Sequence, residues 1–152
     1  MKILALDLSL NRTGWCVMND NSSLSSGIIE IKKGSFISDE DRINQILNAL
    51  VDIYNNHINE NSGFNDLVIE DYSFGARGRA VFNLGELGGV IKHFFVSHEK
   101  IPLIKVAPTK LKKHITGKGN SNKNLMLMRI YKKYGVEFED DVSHHGFDEN
   151  LI

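Results

Sequence analysis

The chain has 152 residues, 41% hydrophobic and 24% charged, with a formal net charge of −1. That length suits one compact domain over residues 1–152 with a real core, and it leaves too little chain for two ordinary domains. No apolar run approaches the ~20 residues of a membrane span; the single cysteine, Cys16, excludes an internal disulfide and any zinc framework of several cysteines, and it fits a reducing cytoplasm. Lys2 to Leu8 is apolar and β-prone with an acid inside it, which reads as a buried strand and not as a signal peptide. Asn11-Arg12-Thr13-Gly14 is a turn, and Trp15 to Met18 a second strand paired with the first as a hairpin. Asn19 to Ser26 reads as a polar loop, and Gly27 to Lys33 as the third strand of a meander. Ser38, with Asp41 three residues on, predicts a capping box. The helix behind it places Ile43, Ile46, Leu47, Leu50 and Tyr54 on one face.

Asn59 to Asn65 is a loop, and Asp66 to Asp71 a short buried strand ending in acids. Tyr72 to Arg79 is a loop with glycine and arginine. A second helix follows, with Val81, Leu84, Leu87, Ile91 and Phe94 on one face. Its Gly85, Gly88 and Gly89 cost helix propensity and imply a close approach, either to the protein's own sheet or to a partner. Pro102 to Val106 is another strand. Pro108 starts a short helix, Thr116 to Asn120 is a loop, and Ser121 to Tyr134 is a helix that Gly135 ends. Antiparallel strands followed by alternating helices and strands predict an α/β fold. Its mixed sheet has three antiparallel strands and then parallel ones, flanked by helices.

The small net charge hides an asymmetry. Ile101 to Val136 contains no acid yet carries half of the 18 lysines and arginines, and Glu137, Glu139, Asp140, Asp141, Asp148 and Glu149 follow. A basic stretch suits a polyanion such as nucleic acid, or a plainly solvated helix face; an acidic cluster suits a hard cation. Asp7 and Glu70 each end an apolar strand. If those strands are neighbours their carboxylates converge, and their repulsion is relieved by a cation or a proton.

Several motifs sharpen this reading. Ile3-Leu4-Ala5-Leu6-Asp7-Leu8-Ser9-Leu10-Asn11-Arg12-Thr13-Gly14-Trp15 combines a strand, an acid and a Thr-Gly start of the next strand. Val68-Ile69-Glu70-Asp71-Tyr72 carries a second acid. Asn83 to Val90 is a helix rich in small residues. Val106-Ala107-Pro108-Thr109-Lys110 to Lys123 joins a proline-started lysine helix, a Thr-Gly-x-Gly turn and a downstream lysine. In this order the motifs resemble the RuvC-type Holliday junction resolvases, particularly the bacteriophage branch, within the ribonuclease H-like superfamily.

The resemblance implies a structure-selective endonuclease that resolves branched DNA by paired phosphodiester hydrolysis. It implies two Mg2+ ions per site, with Mn2+ as a substitute, held by four carboxylates. Asp7, Glu70 and Asp148 are the candidate metal ligands and, with Lys123, the catalytic set; Glu149, Asp140 and Asp141 are rivals for the third and fourth acids. Arg77, Arg79, Lys112, Lys113, Lys118 and Lys123 are the candidate DNA contacts, with Phe74 placed to stack on unpaired bases. His144 and His145, adjacent in sequence, do not suit one ion, although one of them would suit proton transfer. A two-fold junction implies a homodimer, and the setting is the cytoplasm of a bacterium or a phage-infected host. The family's fourth acid and the final helix that carries it have no counterpart before Ile152. The expectation is therefore a chain lacking that helix, either truncated or a variant with a weakened site. Three competing readings follow: a junction-binding protein without cleavage, a ribonuclease H-like RNA nuclease, and a phosphate-binding domain of the actin and sugar-kinase kind, for which the chain is short.

Overall fold

The computed structural model describes residues 1–20, 23–58, 63–71 and 78–135. Two compact units succeed one another, Met1–Ala107 and a second beginning at Pro108. The first holds β1 (Lys2–Asp7), β2 (Arg12–Asn19), β3 (Leu24–Glu30), α1 (Asp39–His57), β4 (Asp66–Glu70), α2 (Arg79–Lys92) and β5 (Leu103–Val106). The strand order is β3-β2-β1-β4-β5. β1, β2 and β3 pair antiparallel, while β4 runs parallel to both β1 and β5. This is the mixed sheet that the sequence predicts.

Strand alternation sorts the side chains. Leu4 and Leu6 of β1, Val17 of β2, and Leu67 and Ile69 of β4 are buried. They join Ile43, Ile46, Leu50 and Tyr54 of α1, and Leu87 and Ile91 of α2, in a single core. Each fully buried leucine or isoleucine contributes roughly 1.5–3 kcal/mol relative to exposure. The opposite face carries Met18, Leu24, Ile28 and Ile104, all exposed hydrophobics.

The third strand begins at Leu24, where a loop was expected, and ends at Glu30, short of Lys33. Ser25 and Ser26 pair with Val17 and Cys16, because an outer strand half open to water tolerates serine. Gly27 lies opposite Trp15, and a Cβ there would sit 3.0 Å from the indole ring, so the ring needs glycine beneath it. α1 starts as predicted, with Ser38 Oγ accepting from the Asp41 N–H at 3.2 Å. The reciprocal bond differs: Asp41 Oδ2 accepts from the Ile37 N–H at 3.0 Å, one residue before the cap.

α2 does not end where its periodicity suggests. It continues as a π-helical turn, His93–His98, in which the Glu99 N–H reaches Phe94 O at 3.0 Å. The fully buried ring is therefore Phe95, where periodicity had placed Phe94 on the apolar face. Phe94 packs edge-on against it with centroids 4.9 Å apart. Tyr54 completes this aromatic cluster, 5.6 Å from Phe95 and 5.5 Å from Phe64.

The second unit contains α3 (Pro108–Thr116) and α4 (Lys123–Tyr134). Pro108 occupies the first helical position, where no amide donor is needed. α4 begins two residues later than expected, because Asn122 caps it by accepting from the Leu125 N–H at 2.9 Å. Gly135 ends it in the left-handed conformation, φ 64°. No helix among the described residues is long and apolar enough to cross a membrane.

The Tyr54 hydroxyl donates to Glu99 Oε2 at 2.7 Å. Burial, then this bond and the negative charge of Glu99, push the phenol up to about 12. A raised phenol favours the protonated form in the fold, so its contribution is complete below the unfolded value of about 10 and is lost as pH rises from there towards 12. Absorbance titration of tyrosinate should therefore show one late-ionising tyrosine, absent from Tyr54→Phe. The variant's stability should also fall less steeply across that alkaline range.

Candidate active site

The parallel pairing of β1 and β4 runs through Ile3↔Asp66, Leu4↔Leu67, Ala5↔Val68 and Leu6↔Ile69. The next step in this register sets Asp7 beside Glu70. Parallel partners share a face, so both carboxylates project away from the core side that Leu6 and Ile69 occupy. Asp7 is exposed and Glu70 half-buried. Gly14 lies across from Asp7 on the other side.

Asp71 goes the other way. Its N–H continues the ladder to Val106 O at 2.9 Å, and its carboxylate meets Lys105 Nζ at 3.7 Å. A shallow cleft there is lined by Leu8, Ile69, Glu70, Asp71, Gly88, Lys92, Leu103 and Lys105. Of two acids adjacent in sequence, Glu70 comes level with Asp7 when the strand register is continued, Asp71 meets a lysine, and both border the cleft.

The turn after Asp7 is fixed by Thr13, which is fully buried. Its Oγ1 donates to Ser9 O at 2.6 Å and accepts from the Ser9 N–H at 3.2 Å. Sequence reading had noted Thr13 only as part of a motif. The signal for its role is the four-residue spacing from Ser9, which lets one hydroxyl close the turn. Arg42 of α1 also bonds Asn11 Oδ1 in this turn, a tertiary contact with no local signature.

The amino ends of α1 and α2 meet at the same edge of the sheet. Asn83 Nδ2 donates to Asp39 Oδ2 at 3.0 Å, and Arg79 lies 3.9 Å from that oxygen. Arg79 is 87% exposed, available to a ligand at the strand ends. The two outward glycines of α2, Gly85 and Gly89, are exposed with open space over their Cα atoms, whereas Gly88 is buried and faces the sheet. The close approach inferred from the sequence thus divides: one glycine serves the protein's own sheet, and two face outwards.

In the second unit the Thr-Gly-x-Gly turn is closed by side chains. Thr116 Oγ1 lies 2.8 Å from Lys112 O and 2.5 Å from Ser121 Oγ, and Ser121 Oγ donates to Lys118 O at 2.8 Å. A Cβ on Gly119 would come 3.2 Å from Thr109 O. Lys118 stands exposed in this turn, Lys123 is the exposed first residue of α4, and Lys112 and Lys113 lie on α3, half-buried and exposed respectively. Met126 and Met128 are half-buried on α4.

Phe74, Arg77, Asp140, Asp141, His144, His145, Asp148 and Glu149 lie outside the described residues. Among the described residues no three metal-ligating side chains converge. The donors that do come together are two carboxylates side by side, all oxygen, and they fit a hard divalent cation.

A five-stranded mixed sheet of this order, with acids ending its adjacent parallel strands, defines a ribonuclease H-like fold. Residues 3–137 match the family of the crossover junction endodeoxyribonuclease RuvC, and the chain belongs to that family. Among curated relatives, the crossover junction endodeoxyribonuclease RuvC of Ehrlichia ruminantium (strain Gardel) is 24% identical over 149 residues, covering 90% of this chain and 89% of its own. That of Campylobacter curvus is 24% identical over 143 residues, covering 91% and 85%. The structure of Thermus thermophilus RuvC superposes with a TM-score of 0.68 at 13% identity, over 95% of this chain and 86% of that one. The same protein in complex with a Holliday junction substrate gives 0.72 at 12% identity, over 95% and 85%. These likenesses show a shared fold.

Proposed function

We propose that this chain is a metal-dependent endonuclease that resolves Holliday junctions and related branched DNA by paired phosphodiester hydrolysis. What supports the reading is that Asp7 and Glu70 end neighbouring parallel strands whose register, continued one step, sets them side by side, in a chain of the RuvC family. Asp7 and Glu70 would hold Mg2+, or Mn2+ in its place, with Asp148 as the third acid. Two such ions supply water activation and neutralisation of the leaving oxygen.

The chain's own residues do the rest. The Thr13 and Arg42 bonds hold the turn that follows Asp7. Arg79 at the strand ends, and Lys112, Lys113, Lys118 and Lys123 in the second unit, bind phosphates, with Lys123 offsetting charge at the scissile group. Arg77 and Phe74 complete the DNA contact set. Both units would serve one nuclease domain over 1–152, since the family match runs through their boundary.

Purified protein should nick a labelled four-way junction in pairs when Mg2+ is present, and leave the matching linear duplex and an RNA–DNA hybrid intact. Asp7→Asn and Glu70→Gln should each lower the rate by roughly 10²–10³-fold while junction binding persists in Ca2+. Binding without any cleavage by the unaltered chain would replace the resolvase with a junction-binding protein, and failure to prefer the junction would sink the reading. In a salt series, Lys118→Ala and Lys123→Ala should each flatten the log K against log [salt] slope by about one unit.

A two-fold substrate calls for two sites, and we infer a homodimer that packs through α2. Support comes from Gly85 and Gly89, open on the helix surface, beside Phe82, which is 74% exposed. Small residues four apart let two helices approach closely, and the aromatic supplies apolar area. Gly85→Leu with Gly89→Leu should give a monomer by sedimentation equilibrium and convert paired nicking into slow, unpaired nicking. An unchanged dimer would place the interface elsewhere.

A further inference from the structure

The segment joining β3 to α1 has an unusual build. An apolar residue just before a helix cap ordinarily packs back on the fourth helical residue. Here that pair is Ile37 and Arg42, and the packing does not form. The Arg42 guanidinium lies instead 4.7 Å over the Phe36 ring. Its Nε is buried without a hydrogen-bond partner among the described residues. Ile37 is left 97% exposed.

A loose loop would let such a side chain fold inwards. This loop is tied. Ser35 N–H and Oγ donate to Lys32 O at 3.1 and 2.7 Å, and Gln45 Nε2 donates to Ser35 O at 2.8 Å. The Ile37 N–H is held by Asp41. At its start, the Ile31 N–H donates to Asn11 O at 2.9 Å, which anchors the segment to the turn after Asp7. Ile37 is thus displayed at the carboxyl end of β1, the end where Asp7 and Glu70 stand.

The charges around it favour a polyanion. Lys32 and Lys33 are exposed just before it. Of the acids just after it, Asp39 is engaged by Asn83 and Arg79, and Asp41 by the Ile37 N–H and Gln45. A rigidly presented, fully exposed branched aliphatic flanked by lysines is suited to insertion between bases, where apolar wedges unstack a step. Unstacking costs least where bases are already poorly stacked, as at a branch point.

We propose that Ile37 is a wedge that enters the stacked bases at the branch point, with Lys32 and Lys33 on the neighbouring phosphates. This rests on the junction-nuclease reading. It adds a second element to the DNA surface, separate from the Phe74 loop.

The test uses the full chain, in Ca2+ so that the DNA stays intact, with four-way junctions carrying 2-aminopurine at each branch-point position. The unaltered chain should raise the fluorescence at one or more positions. Ile37→Ser should lose most of that rise and weaken junction binding by about five- to tenfold, while linear-duplex affinity and Tm stay unchanged. Ile37→Leu should retain the rise. No fluorescence rise with the unaltered chain, or a rise that survives Ile37→Ser in full, overturns the wedge while leaving junction binding standing. A chain that binds junction and duplex alike overturns the function reading, and the wedge with it.

Discussion

The parallel ladder between β1 and β4 is the constraint on which the rest of this molecule depends. Its register, continued one step beyond Leu6 and Ile69, sets Asp7 level with Glu70. Its pleat puts Leu6 and Ile69, one residue earlier, into the core. Core and site are therefore opposite faces of the same four hydrogen-bonded pairs. A slip of one residue would exchange them, exposing Leu6 and Ile69 and burying two carboxylates, so hydrophobic burial holds the register of the acids.

The helices serve that ladder. α1 and α2 cover the core face, and their amino ends are joined at the Asp39–Asn83 bond. The π-helical turn after α2 buries Phe95 against Tyr54, while the Tyr54–Glu99 bond ties the far end of α1 to the approach to β5. At the site end, Thr13 and Arg42 hold the turn beyond Asp7. The second unit is organised on its own small scale, around the hydroxyls of Thr116 and Ser121. They close the turn in which Lys118 stands exposed.

Two carboxylates kept together repel each other when no cation lies between them. The sheet resists that repulsion with covalent order and ladder bonds. Asp71 shows how selective the arrangement is. It is a carboxylate adjacent to Glu70, yet it meets Lys105.

Much of this was legible in the sequence because it is local. Apolar alternation and 3.6-residue periodicity marked β1, α1, β4 and α2. Ser38, Asn122, Pro108 and Gly135 marked helix ends through chemistry that acts within four residues. The acids at strand ends and the lysine turn pointed to the family before any tertiary contact was known. What sequence periodicity left undecided depends on partners distant in the chain. Leu24–Ser26 became strand because β2 offered a ladder, and Ile37 turned outwards because Phe36 took the surface of Arg42. The division among Gly85, Gly88 and Gly89 was likewise settled by which side of α2 met the sheet. Local composition determines which residues are available for a site, whereas register and packing, which join positions sixty residues apart, decide which of them face one another.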